Sequence, residues 1–251
     1  MFSDPLNELD ELTALSEKLG LYQLQPAPPD VLDIVCISDT HGIHEQLQIP
    51  PCHLLLFSGD WSAGKGNLKQ TEHFLSWLSA QPANYKVLIA GNHDFTAENM
   101  QGFRSWVEDE FPGVIYLKDS STSLYGLNIY GYPWQHWFFD WAFKLPRNGA
   151  SMERKWKHIP GNTDILITHG PPHKILDRCA SGNVGCEKLS EALERDKHSR
   201  LKLHLFGHIH EGRGHQLENS KLYVNASCLD GQYRMLENPV TLLKWEERRA
   251  T

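Results

Sequence analysis

Cysteine is scarce in this chain of 251 residues: Cys36, Cys52, Cys179, Cys186 and Cys228 are scattered, with no CxxC pair. That pattern excludes a disulfide framework and a thiolate zinc cage, and it points to the reducing cytoplasm. Long apolar runs are missing too. None approaches the roughly 18 residues needed to span a bilayer, and the opening MFSDPLNELDELTALSEKLG lacks the basic start and apolar core of a signal peptide. Without secretion, the Asn225-Ala226-Ser227 sequon is a chance match. Positive charge is in deficit, with 24 Lys and Arg against 31 Asp and Glu and a net charge of −7. Nothing therefore attracts long nucleic acid or a membrane surface, and a phosphate-bearing ligand needs a local positive centre. Gly and Pro, at 19 and 14 residues, are too few for a low-complexity chain.

What remains is an ordinary globular composition, 40% hydrophobic and 22% charged. Leucines at 6, 9, 12, 15 and 19 recur at helical spacing between an Asp4-Pro5 start and a Gly20 stop, which predicts an N-terminal amphipathic helix. The Pro-rich stretch Gln25 to Asp30 makes residues 1–30 an appendage, and residues 31–251 are expected to form one domain.

Short apolar runs follow at Val31 to Ser38, His53 to Ser58, Lys86 to Ala90, Asp164 to Thr168 and Leu203 to Phe206. They predict buried strands, with helical patterns between them at Asn67 to Ser79 and Cys186 to Arg195. The fold class is α/β, a sheet covered on both faces. Weaker strand patterns lie at Val114 to Leu117, Leu127 to Tyr132, Lys221 to Val224 and Val240 to Trp245.

The five clearest strands end in Ser38-Asp39-Thr40-His41, Ser58-Gly59-Asp60, Gly91-Asn92-His93-Asp94, Thr168-His169-Gly170 and Gly207-His208-Ile209-His210. Ligands of open α/β sheets bind beyond the carboxyl ends of the strands, so these turns should converge. Asp, His and Asn donors without cysteine suit catalytic Mn²⁺, Fe or Zn²⁺. With His93 and Asp94 set aside, seven ligand-type side chains remain, too many for one ion that keeps an open position. Two ions are expected: Asp39, His41, Asp60 and His210 on the first; Asp60, Asn92, His169 and His208 on the second, with Asp60 bridging. An extended Asp39-Thr40-His41 would point both side chains one way, and a tighter His208-Ile209-His210 turn would send one imidazole to each ion. Such a pair would activate a bridging hydroxide and clamp the oxygens of a phosphate ester. His93, and Asn92 beside it, would contact the phosphoryl group. His93 would also protonate the leaving oxygen, with Asp94 or a backbone carbonyl fixing its tautomer.

These ordered motifs resemble those of the calcineurin-like metallophosphoesterase superfamily: DxH, GD, GNH followed by an acid, a strand-end His, and GHxH. Within it, GYPWQHWFFDWAFKLPR at 131–147, THGPPHKILD at 168–177, FGHIHEGRG at 206–214 and VNAS at 224–227 are similar to the metallophosphoesterase-domain-containing (MPPED) subfamily, related to class III cyclic nucleotide phosphodiesterases. The resemblance implies a four-layer α/β/β/α sandwich and metal-dependent hydrolysis of phosphoesters, often with Mn²⁺. It gives the same roles to the residues named above, and it tolerates Thr168 before His169.

Trp134, His136, Trp137, Phe138, Phe139, Trp141 and Phe143 crowd aromatic rings into ten residues. They form either a wall that stacks a nucleobase or aryl group, led by Trp134, or a core patch. His173, Asp177 and Arg178 either reach substrate or form a solvated loop, and the basic cluster 197–202 is read as a soluble connection. The function expected is a dinuclear-metal phosphodiesterase acting on small esters or cyclic nucleotides. A nuclease, disfavoured by the acidic balance, and a nucleotide-binding or scaffold protein with residual hydrolysis are the competing readings.

Overall fold

The computed structural model of the protein describes residues 29–246, apart from positions 138, 148, 196 and 197. The expected N-terminal helix at 4–19, Phe138 of the aromatic cluster and Lys197 of the basic cluster lie outside the described residues.

The runs VLDIVCI and CHLLLF, apolar on both faces, form β1 (Val31–Ile37) and β2 (Cys52–Phe57). They lie inside a five-stranded sheet ordered β15-β1-β2-β3-β4. Here β3 is Ala83–Leu88, β4 Val114–Tyr116 and β15 Thr241–Glu246. All neighbours are parallel except β15, which runs antiparallel to β1. A second, six-stranded sheet is ordered β13-β14-β12-β9-β6-β5. Its parallel centre comprises β6 (Leu127–Tyr132), β9 (Ile165–Thr168), β12 (Leu203–Phe206) and β14 (Lys221–Asn225). The edges, β5 (Ser120–Leu124) and β13 (Gly214–Glu218), are antiparallel. Two short ribbons pair β7 (Gln135–His136) with β8 (Lys144–Leu145), and β10 (Arg178–Cys179) with β11 (Gly182–Asn183).

Alternation along the strands divides the core into three apolar clusters. Leu32, Ile34 and Cys36 of β1 meet Leu203 and Leu205 of β12 in a cluster shared by both sheets. Val35 and Ile37 point the other way, to α1 (Leu68–Ser79) and α3 (Phe103–Glu110), separated by the short α2 (Phe95–Asn99). Leu166, Phe206 and Tyr223 pack outward against α4 (Ala150–Lys157) and α5 (Glu187–Leu193). The fold is thus mixed α/β, with the two sheets sharing one apolar cluster and helices on the outer faces. A capping box between Asn67 and Gln70 starts α1, whereas Cys186 stands at the start of α5 without a side-chain capping hydrogen bond. The edge strands β5 and β13 carry too few apolar residues to stand out in the sequence, and the five-residue α2 is too short for a helical period. No helix among the described residues is long and apolar enough to cross a membrane.

Candidate metal centre and active site

The loops after β1, β2, β3, β9 and β12 meet at one end of the paired sheets and bring all nine singled-out residues together. Asp60 Oδ2 is the hub. It lies 3.2 Å from His169 Nε2, 3.8 Å from His41 Nε2 and 3.9 Å from His93 Nε2. On one side Asp39 Oδ1 is 3.6 Å from His210 Nε2, which is 3.3 Å from His41 Nε2. On the other side Asn92 Oδ1 is 3.0 Å from His169 Nε2, whose ring meets His208 edge to face at 4.9 Å. Three sets of donor atoms fall within 4.8 Å of one another: Asp39, His41 and His210; His41, Asp60 and His93; Asp60, His169 and His208.

The imidazoles are oriented from behind. Nδ1 of His41, His93, His169 and His210 faces the carbonyl oxygens of Ser62, Gly64, Ser58 and Asp230 at 2.7–3.2 Å. An Nδ1–H donated to each carbonyl leaves the Nε2 lone pair directed into the cluster, the tautomer that a metal takes. The donor set therefore fits cations.

Its electrostatics agree with that fit. Burial pushes the Asp39 carboxyl up, but the hydrogen-bonded His210 and the nearby His169 outweigh it and hold the group below its usual range. Burial likewise opposes ionisation of Asp60, and His169, His93 and His41 override it by a wider margin. The carboxylates act back. Despite burial, Asp60 and Asp39 raise His169 to about 9, and the Asp39 hydrogen bond raises His210 to about 9. Buried negative charge thus draws protons onto His169 and His210, where cations could replace them, whereas burial lowers His41 and His208.

The Asp39-Thr40-His41 stretch corrects the sequence expectation. It is not extended: Asp39 and His41 have φ of 54° and 40°, and Asp60 (62°) and His208 (68°) are left-handed as well. The cause is long-range. The N–H groups of Asp39, His41 and Gly42 donate to the carbonyls of Gly59, Asp60 and Trp61, so the β1 and β2 loops zip together and curl the side chains inward. Glycine gives the carboxylates room, since a Cβ at Gly91 would overlap Asp60, and one at Gly207 would overlap Asp39.

Asp94 also departs from expectation. Of the two partners considered for His93 Nδ1, the backbone carbonyl, that of Gly64, is the one present. Asp94 is fully buried and accepts from Asp60 N at 2.8 Å, Gly91 N at 2.7 Å and Ser62 N at 3.1 Å. It braces the backbone that carries Asp60. Burial and the Asp60 charge push its carboxyl well up, against the pull of the N–H donors.

The family model for calcineurin-like phosphoesterases matches residues 32–212, the span that holds all nine site residues. The chain belongs to the calcineurin-like phosphoesterase family. Among its relatives, human metallophosphoesterase domain-containing protein 1 is 37% identical over 239 residues, covering 86% of this chain and 72% of that protein. The fold is shared with phosphopantetheinyl hydrolase from Mycobacterium tuberculosis at TM-score 0.59 and 14% identity, over 86% of this chain and 96% of that one. It is also shared with a crystal structure from Thermus thermophilus at TM-score 0.58 and 15% identity, over 86% and 99% of the two chains.

A cleft of about 500 Å³ opens over the cluster in this family member. Trp141 flanks it, with its ring 4.2 Å from that of His93, as does Trp137, which is 59% exposed. Trp134, the ring expected to lead the wall, lies elsewhere: its Nε1–H donates to Asp119, Lys155 covers its face and Phe143 meets it edge-on. Phe143 is core. His136 lines the cleft and accepts from Arg147, whose fork also reaches Gly185 O and Glu187; burial and that guanidinium lower His136 to about 4. Asp177 braces its own loop through the N–H groups of Lys174 and Gly185, and neither it, His173 nor Arg178 lines the cleft. In the basic cluster, Arg200 pairs with Asp164.

Sequence reasoning missed Tyr233, an exposed ring 4.8 Å from His41 and 5.0 Å from His210. Only its nearness to the VNAS segment signalled it. Asn225 of that segment is buried and donates to Ile209 O at 2.7 Å, which supports the His208–His210 turn and leaves the sequon inaccessible.

Proposed function

We propose that the protein is a metal-dependent phosphoester hydrolase, a phosphodiesterase of small esters or cyclic nucleotides that works with two cations. Asp39, His41, Asp60 and His210 would hold the first, and Asp60, Asn92, His169 and His208 the second, with Mn²⁺ suited to both oxygen and imidazole donors. When bound, the ions would supply Lewis-acid charge for phosphoryl oxygens and activate water. The observation that carries this reading is the convergence of imidazole Nε2 atoms, each fixed through Nδ1, on the Asp60 Oδ2 hub.

The remaining roles belong to the chain's own residues. His93 is anchored by Gly64 O and reaches the cleft with Nε2, where a proton can pass to the leaving oxygen. Asn92 and His93 would orient the phosphoryl group, and Trp137 and Trp141 would stack an aryl or base substituent. Pairing of β1 with β15, from opposite ends of the described chain, supports residues 31–251 as one domain. The cysteine pattern and acidic charge support a cytoplasmic enzyme that does not take long nucleic acid.

Chelator-stripped protein should lose turnover of a bis-aryl phosphate and regain it with Mn²⁺, and Asp60→Asn should not regain it. Undiminished turnover after stripping would overturn the metal mechanism. Micromolar binding of a purine monophosphate with only marginal hydrolysis of every ester would make binding the function.

A further inference from the structure

We propose that His136 binds substrate in the cleft: its Nδ1–H donates to an acceptor on the ester substituent, an oxygen or ring nitrogen such as a sugar or nucleobase carries, and Arg147 holds the ring ready to do so. Within the hydrolase reading above, on which this rests, the contact selects the substituent rather than the phosphoryl group.

The ribbon of β7 and β8 carries His136. Gln135 N–H donates to Phe143 O at 3.0 Å and Trp137 N–H to Leu145 O at 2.6 Å, so the backbone is pinned on both sides of it. The ring lines the cleft, as does that of Trp137. Burial above all, and with it charge on His169 and on His136, lowers His208 to about 3, which sets His136 close to a ligand expected on the second ion.

The tautomer follows from the partner. A guanidinium has no acceptor, so Arg147 Nη1, 3.0 Å from His136 Nε2, must donate, and Nε2 carries the lone pair. The proton of the neutral ring is then on Nδ1, which has no hydrogen-bond partner among the described residues. Arg147 is itself already committed. Its Nη2 donates to Gly185 O and to Glu187 Oε1, each at 3.0 Å, and Glu187 matches its charge. Among the described residues no other Lys or Arg lines the cleft, and Glu211 adds a carboxylate outside the metal cluster, so recognition of the substituent falls to a neutral donor. Stacking on Trp137 accepts any aromatic ring, whereas a hydrogen bond separates rings that carry an acceptor from those that do not.

By calorimetry, the full chain with Mn²⁺ should bind adenosine 5′-monophosphate more tightly than phenyl phosphate. His136→Phe and His136→Gln should cut that preference roughly tenfold, the worth of one hydrogen bond, and His136→Asn, whose amide nitrogen takes the place of Nδ1, should keep it. Long-range ¹H–¹⁵N spectra of chelator-treated protein at pH 7 should show His136 protonated on Nδ1 alone. Arg147→Met should release that tautomer, and Arg147→Lys should retain it. No preference in the parent, equal loss for both ligands, or retention by His136→Gln with loss in His136→Asn would each overturn the assignment. So would a proton on Nε2 or a tautomer unchanged in Arg147→Met. The spectra need neither metal nor turnover, so their outcome is separate from any failure of the metal mechanism, which the stripping experiment reads.

Discussion

Replacing Asp94 by Asn separates a residue that positions the site from one that transfers a proton. Oδ2 accepts from Asp60 N and Gly91 N, and Oδ1 from Ser62 N alone. An asparagine best keeps its oxygen at the Oδ2 place and turns its NH₂ toward Ser62 N–H, so one charge-assisted hydrogen bond is lost. That loss costs about 1.5–3 kcal/mol, a fall in Tm of roughly 3–12 °C for a chain of this length. The backbone at Ser62, two residues beyond the Asp60 hub, then loses its anchor, and Mn²⁺ affinity should fall roughly 10–100-fold, as when the groups that support a metal ligand are weakened. Mn²⁺ titration of chelator-stripped protein by calorimetry measures that change, beside a pH profile of kcat/KM whose limbs should keep their positions. If Asp94→Asn bound Mn²⁺ normally and lost one limb of the profile, Asp94 would be a proton-transfer group and the positioning role would be refuted.

Gly207→Ala places a methyl group on the Asp39 carboxylate and should leave purified protein depleted in metal by atomic emission; normal metal content would show that the loop gives way. Trp141→Ala should raise KM for an aryl phosphodiester well above its effect on a dimethyl ester, while Trp134→Ala should change both equally; the reverse pattern would return Trp134 to the wall. Burial, with His73 adding to it, lowers His44 to about 4, and burial lowers His204 to about 3. Both histidines are neutral in the fold and charged in the unfolded chain below their ordinary value of 6.5. Their contribution to stability is present above pH 6.5 and is lost as pH falls toward 4, by at most about 3 kcal/mol for His44. Melting of chelated protein from pH 7 to 4 should therefore be less pH-dependent in His44→Leu, and an unchanged slope would contradict the assignment.

Much of the centre was legible in the linear chain because its chemistry is local. A strand that is apolar on both faces ends where a polar residue can face a cleft, and Asp, Asn and His beyond five such ends already specify hard-to-intermediate cation donors. Leu203–Phe206 was visible for the same reason, and Leu127–Tyr132 as a weaker strand pattern. Tertiary structure decided what depends on distant partners. Carbonyls of the β2 loop curl Asp39 and His41 into left-handed turns that isolated residues disfavour. Three backbone N–H groups from two loops claim Asp94, and Asp119 draws Trp134 away while Trp141 swings beside His93. Donor identity is a property of side chains, whereas the place each one occupies is set by hydrogen bonds between segments 20 to 170 residues apart, about which no local pattern carries information.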